Sequence, residues 1–181
     1  NAVDFDDLIG EVVRIFTEHR QVVEFYRRRF KHVLIDEYQD TNHAQYALVA
    51  ALVGKGELGP DAPELCVVGD SDQSIYAFRG ATIRNIEEFE RDYPNATTIM
   101  LEQNYRSTQN IVDAANAVIS RNVQQFKKNV FSDNEIGEKI KVYRALSDAD
   151  EAGFVAGNIW EQHNSQQRKF SDFAILYRTN A

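Results

Sequence analysis

Short apolar runs alternate with helix-patterned stretches from one end of the chain to the other, and that order restricts the fold more than any other feature. The runs are "HVLID", "LCVVGD", "TTIML" (Thr97–Leu101), "KIKVYRA" and "DFAILYR". Each reads as a strand, the first two as buried ones. Between them lie segments with apolar residues at helical spacing. "DFDDLIGEVVRIFTEHRQVVEFYRRRF" predicts one or two amphipathic helices from Phe5 to Phe30. "HAQYALVAALV" (His43–Val53) predicts a helix with Asn42 as its N-cap, and "STQNIVDAANAVISRN" one capped by Ser107 or Thr108. "ATIRNIEEFERDY" and "DADEAGFVAGNIWEQHN" complete the set. Strand–helix alternation of this kind predicts an α/β fold with parallel sheets. The Gly- and Pro-dense stretch Gly54–Glu64 is a loop, and the helix that stops at Pro94 marks a boundary between two α/β units, 1–94 and 95–181.

A hydrophobic share of 43% excludes a disordered chain, and one cysteine, Cys66, excludes a disulfide framework. Cys66 falls in a strand and is expected in the core. A reducing cytoplasmic setting with no membrane span is the expectation. The net charge of −8 argues against a uniformly basic nucleic-acid binder. Basic clusters exist locally, at Arg27, Arg28, Arg29 and Lys31 and at Lys127 and Lys128, where solvated helix faces are the plain reading.

Three segments carry chemistry. In "VLIDEYQDTN" a strand ends on Asp36 and Glu37, with Asp40 shortly after. Ligands of open α/β sheets bind beyond the carboxyl ends of the strands. One carboxylate there can hold Mg²⁺ together with phosphate oxygens, and a neighbouring Glu can activate water. The same acids could instead hold two metals for nuclease chemistry, or merely mark a strand leaving for solvent. In "VVGDSDQSIYAFRGA" a second strand ends on Asp70. Its loop delivers Gln73, an uncharged phosphate or water ligand, then Tyr76 and Phe78, which can stack on bases or fill a core, then Arg79. In "MLEQNYRSTQN" Tyr105 could stack on a purine, and Arg106 could reach a γ-phosphate or pair locally with Glu102. The histidines form no metal spacing. No P-loop, G-x-x-x-x-G-K-[ST], is present: the single Gly-Lys pair, Gly54–Lys55, has Val49 and Gly56 where Gly and Ser or Thr are needed.

"DEYQDTN", "VGDSDQSIYAFRGA" and "LEQNYRS", in this order, resemble motifs II, III and IV of superfamily 1A DNA helicases of the UvrD/PcrA/Rep family, and "DFDDL" and "FAILYRTNA" resemble further family segments. The resemblance covers essentially the whole chain. It implies parts of two RecA-like (P-loop NTPase type) domains that bind ATP and Mg²⁺ between them and move 3′ to 5′ on single-stranded DNA toward duplex junctions. By that likeness Asp36 holds Mg²⁺, Glu37 is the catalytic base and Gln73 senses the γ-phosphate. Tyr105 stacks on adenine and Arg106 is an arginine finger. Tyr76, Phe78 and Arg79 touch DNA or relay the nucleotide state to it; Phe78 stands where many relatives have Trp. Asn180 is a further DNA-contact candidate. The chain departs from the pattern by lacking the P-loop and the late motifs. It reads as the back half of a first motor domain and the front half of a second, inactive alone and with exposed sheet edges; the alternative is a non-catalytic module for single-strand DNA binding or interaction, ahead of a metal-dependent nuclease.

Overall fold

A computed structural model of the chain describes residues 2–56, 59, 62–122 and 128–178. They fall into two compact units, Asn1–Gly137 and Glu138–Ala181. The first opens with two helices, α1 (Phe5–Glu18) and α2 (Arg20–Arg29), so the sequence pattern over 5–30 is a helical pair broken at His19. Strand β1 (His32–Ile35) follows, then α3 (His43–Val53), then β2 (Glu64–Val67). The chain continues through two one-turn helices, α4 (Arg84–Glu87) and α5 (Phe89–Asp92), to α6 (Gln109–Ile119). The helix expected over 81–93 is thus interrupted: Glu88 sits at φ −91°, ψ 0°, the bridge conformation of a tight turn.

Helices α1, α2 and α3 pack on one another, with Val23 and Val53 buried among them. Asn42 caps α3 as expected. Its side chain accepts the Gln45 N–H while the Gln45 side chain accepts the Asn42 N–H, a reciprocal box that satisfies two free helix-end groups. The other end of α3 is capped from outside: Arg27 donates to the carbonyls of Leu52 and Ala51, each at 2.8 Å. One member of the basic cluster therefore has a structural task, closing helix carbonyls that have no partner within the helix.

Strands β1 and β2 pair in parallel, His32 with Glu64 through Ile35 with Val67. Alternate residues face opposite sides. Val33, Ile35, Leu65 and Val67 are half-buried, whereas Leu34 and Cys66 are exposed. The expected pair of buried strands is therefore covered on one face only, and Cys66 is a surface thiol rather than a core residue. The expected strands at 97–101, 139–145 and 172–178 form no ladder. A strand exists only where a neighbour supplies complementary N–H and C=O groups, and β1–β2 is the whole sheet among the described residues. Ile99, Leu101, Val142 and Leu176 are accordingly exposed.

Apart from Val112 on α6, the remaining core of the first unit is aromatic. Tyr38 is buried, edge-on to Phe89, which packs on Tyr93. Tyr46 donates to Asp92. Burial pushes the Tyr38 phenol far above its ordinary range and, aided by nearby Asp92, pushes Tyr46 and Tyr93 to about 12. All three act as neutral hydroxyls. In the second unit α7 (Asp148–Gln166) starts at Ser147, whose hydroxyl accepts the Asp150 N–H. Tyr143 stacks flat on Phe154 at 3.9 Å and donates to Asp150. Among the described residues no helix is long and apolar enough to cross a membrane.

Candidate functional site

The parallel ladder continues past the ends of both strands, and this brings the acidic turns together. Val68 N–H donates to Ile35 O at 2.8 Å and Tyr38 N–H donates to Val68 O at 2.9 Å. Asp36–Glu37 and Asp70 thus leave the sheet side by side, at its carboxyl edge. Asp36 is exposed; one of its oxygens accepts the Glu37 N–H at 2.9 Å, and the other has no hydrogen-bond partner among the described residues. That arrangement suits a Mg²⁺ ion sharing one carboxylate with phosphate oxygens. Among the described residues no three His, Cys, Asp or Glu side chains gather as a metal cluster, so Asp36, Glu37 and Asp40 do not converge as a two-metal nuclease site would require.

Glu37 has φ 50°, ψ 44°, a left-handed conformation that is costly for a residue with a Cβ. The backbone turn that follows holds it: Asp40 N–H donates to Glu37 O at 2.9 Å. The carboxylate is held by a residue that the sequence did not single out. Gln39, 1% exposed, donates from Nε2 to Glu37 Oε2 at 2.7 Å, and its Oε1 accepts the Asp70 N–H at 3.0 Å. Gly69 makes the second contact possible, since a Cβ there would lie 2.8 Å from Gln39 Oε1. The available signal was position: a long amide between two acids, next to buried Tyr38.

The Asp70 carboxylate anchors the second turn. Gln73 donates to it from Nε2 at 2.8 Å, the Asp72 N–H donates at 3.0 Å, and Lys128 donates as well. Burial pushes this carboxyl up, but the donors from Lys128, Gln73 and Asp72 outweigh it and hold it below the ordinary aspartate value. Lys128 Nζ also lies 3.2 Å from Asp72 Oδ2, an ion pair without hydrogen-bond alignment. Lys128 is therefore tied into the site instead of lying on a solvated face. A buried pair beneath these turns fixes their far side: Asn85 donates to the Thr41 carbonyl at 3.2 Å and to its hydroxyl at 3.0 Å.

Downstream of Gln73 the three aromatic and basic candidates cluster. Tyr76 and Phe78 lie 5.9 Å apart between centroids, with the Arg79 guanidinium over both rings at 5.0 and 5.5 Å. Phe78 is 78% exposed, which rules out a core role for that ring. Tyr105 and Arg106 stand on a separate, well-built loop. The Asn104 side chain accepts the N–H groups of Arg106 and Ser107, and Asn134 donates to the carbonyls of Tyr105 and Ser107. Ser132 also donates to the Ser107 carbonyl, at 2.7 Å. The Tyr105 hydroxyl donates to Gln103 while its ring is exposed. Arg106 is exposed and has no ion-pair partner among the described residues, so the local pairing with Glu102 is not made; Glu102 instead accepts the Asn129 N–H. Among the described residues no hydrogen bond joins Tyr105 or Arg106 to Asp36, Glu37 or Gln73. Lys127 and Asn180 lie outside the described residues.

The chain matches the family model of the UvrD/REP helicase N-terminal domain over residues 1–94 and that of the UvrD-like helicase C-terminal domain over residues 99–181. It is 59% identical over 181 residues to the ATP-dependent DNA helicase UvrD1 of Mycobacterium tuberculosis, with 99% of this chain and 24% of the relative covered. It is 52% identical over 180 residues to the ATP-dependent DNA helicase PcrA of Bacillus subtilis, with the same shares covered. PcrA of Staphylococcus aureus is 51% identical over 180 residues, again with 99% and 24% covered. The chain spans about a quarter of the length of these relatives.

Proposed function

The chain belongs to the UvrD/REP helicase family, and from that premise we propose that it supplies one wall of the ATP site of a 3′ to 5′ DNA helicase, together with part of its DNA-contacting surface. In this reading residues 1–94 are the back half of a first RecA-like motor domain and 95–181 the front half of a second. The interval between the two matched regions, residues 95–98, supports that division. The observation that carries the reading is the joining of two strand-end turns, Asp36–Glu37 and Asp70–Gln73, through hydrogen bonds at the carboxyl edge of a parallel pair.

The chemistry follows from the groups present. Asp36 would hold a Mg²⁺ ion through its outward carboxylate oxygen. That ion, when bound, neutralises charge developing on the phosphates. Glu37 accepts a proton from the attacking water, a step worth about 10²–10⁴ in rate. Gln73, held by Asp70, presents an amide to the γ-phosphate. Arg106 contributes a permanent planar charge, and Tyr105 a ring for adenine. Phe78 and Tyr76, with Arg79 over them, offer faces for stacking on single-stranded DNA.

The chain alone is inactive in this reading, because no P-loop cradles the β- and γ-phosphates. The test compares it with the same chain extended upstream through a phosphate-binding loop, using a fluorescent ATP analogue with Mg²⁺. The longer protein binds the analogue and the short one does not, and in the full-length protein Glu37→Gln lowers turnover about 100-fold or more. Tight nucleotide binding by the short chain, or full turnover in Glu37→Gln, would sink the proposal.

A further inference from the structure

A buried glutamine is costly unless its amide is fully used, and Gln39 uses its amide on two elements at once. Its Nε2 holds one oxygen of Glu37 at 2.7 Å, leaving the other oxygen open, and its Oε1 holds the Asp70 N–H at 3.0 Å. Asp70 in turn holds Gln73 Nε2 at 2.8 Å. The result is a continuous chain of contacts from Glu37 through Gln39 and Asp70 to Gln73. Glu37 needs such a hold. Its backbone is fixed in a left-handed turn, but its side chain is exposed and has no second hydrogen-bond partner among the described residues. Space-filling alone would be served by an apolar side chain of similar volume. The amide is distinguished by its two directed bonds, and Gly69 gives up a Cβ so that one of them can form.

We infer that Gln39 is a positioning residue: it aims the Glu37 carboxylate at the attacking water and sets its register against the loop that carries Gln73. The inference rests on the reading of Glu37 as the base. A residue that acts only by orienting the base alters turnover and leaves substrate binding alone. Misplacing a reacting group by about 1 Å can cost about 100-fold.

The test is steady-state, DNA-stimulated ATP hydrolysis by the full-length protein with Gln39→Met, Gln39→Glu, Glu37→Gln and the double variant Glu37→Gln/Gln39→Met. Gln39→Met removes both bonds at similar volume. Gln39→Glu keeps an acceptor for the Asp70 N–H and replaces the fixed amide donor with a carboxyl that competes with Glu37 for a proton, so it disturbs the aim of Glu37 by a second route and carries the test if the first variant folds poorly. Both single variants at Gln39 lower kcat about 10- to 100-fold with KM for ATP within about twofold. The double variant is no slower than Glu37→Gln, because the residue being aimed is already gone. Unchanged kcat in both Gln39 variants overturns the inference. So does a loss of the same factor in both backgrounds, which would mark general packing. If Glu37→Gln itself keeps normal turnover, the assignment of the base fails. If Glu37→Gln is slow and the Gln39 variants are normal, only the positioning role fails.

Discussion

Adding one methyl group at Gly69 should unfold the acidic turns from within, and the same change at Gly10 should do the reverse. A Cβ at Gly69 would lie 2.8 Å from Gln39 Oε1, 3.0 Å from Ile86 Cδ1 and 3.2 Å from the Tyr38 nitrogen. The Ile86 methyl is the end of a flexible side chain and can give way, but the Gln39 amide is tied at both ends and the Tyr38 N–H is bonded to Val68. Overpacking of this kind costs about 1–3 kcal/mol. If Gln39 yields, the part-buried Asp70 N–H loses its acceptor, at about 1–3 kcal/mol. The two overlap, so Gly69→Ala should destabilise the first unit by about 2–4 kcal/mol. Gly10 sits inside α1, and a methyl group there would meet nothing within 4 Å. Gly10→Ala should therefore stabilise by about 0.5–1 kcal/mol. Urea unfolding followed by far-ultraviolet circular dichroism gives both signs from midpoints at constant slope. Amide exchange at Asp70 localises the first effect: at about 1.4 kcal/mol per tenfold, its protection should drop by tens to hundreds of fold. If Gly69→Ala matches the parent in midpoint and in Asp70 exchange, the close approach of Gln39 to the β2 exit is wrong.

Two further substitutions test the surroundings of the site. Lys128→Met removes a donor that holds Asp70 down, so the Asp70 carboxyl should titrate at higher pH, read by carbon-13 NMR; an unmoved titration would mean the contact is absent in solution. The sign for stability follows: Asp70 contributes fully above its ordinary value and loses that contribution as pH falls through its lower folded value, so the variant should lose it at a higher pH. Asn85→Ala removes both bonds to Thr41 at a 7% exposed site, and should cost about 1–3 kcal/mol by urea unfolding, against no shift if Thr41 finds other partners.

The elements built from local contacts were legible in the sequence. Asn42 and Gln45 announce the start of α3 because both halves of the cap lie within four residues. The strand ends at Asp36 and Asp70 were legible because an apolar run met an acid. Long-range contacts were not. Nothing near Lys128 in the chain points to Asp70, 58 positions away, and Arg27 looks like any basic helix residue until Leu52 arrives. The segments 97–101, 139–145 and 172–178 carry strand-like apolar patterns, but a pattern encodes only the strand's preference for a neighbour. Cys66 reads as a core residue in the sequence and is exposed in the structure for a related reason: its apolar strand is covered on one side only. Gln39 escaped because burial of a polar side chain cannot be seen from its identity.

The loop bearing Arg106 has an entropic consequence. Asn104, Ser132 and Asn134 already hold its backbone. Fixing a backbone costs about 1–2 kcal/mol per residue, or roughly 4–8 kcal/mol over residues 104–107, and folding has met that cost before any ligand arrives. What remains mobile is the guanidinium arm, with about 2 kcal/mol of rotamer freedom still to lose. An anion reaching Arg106 therefore has only a side chain to order, not a loop.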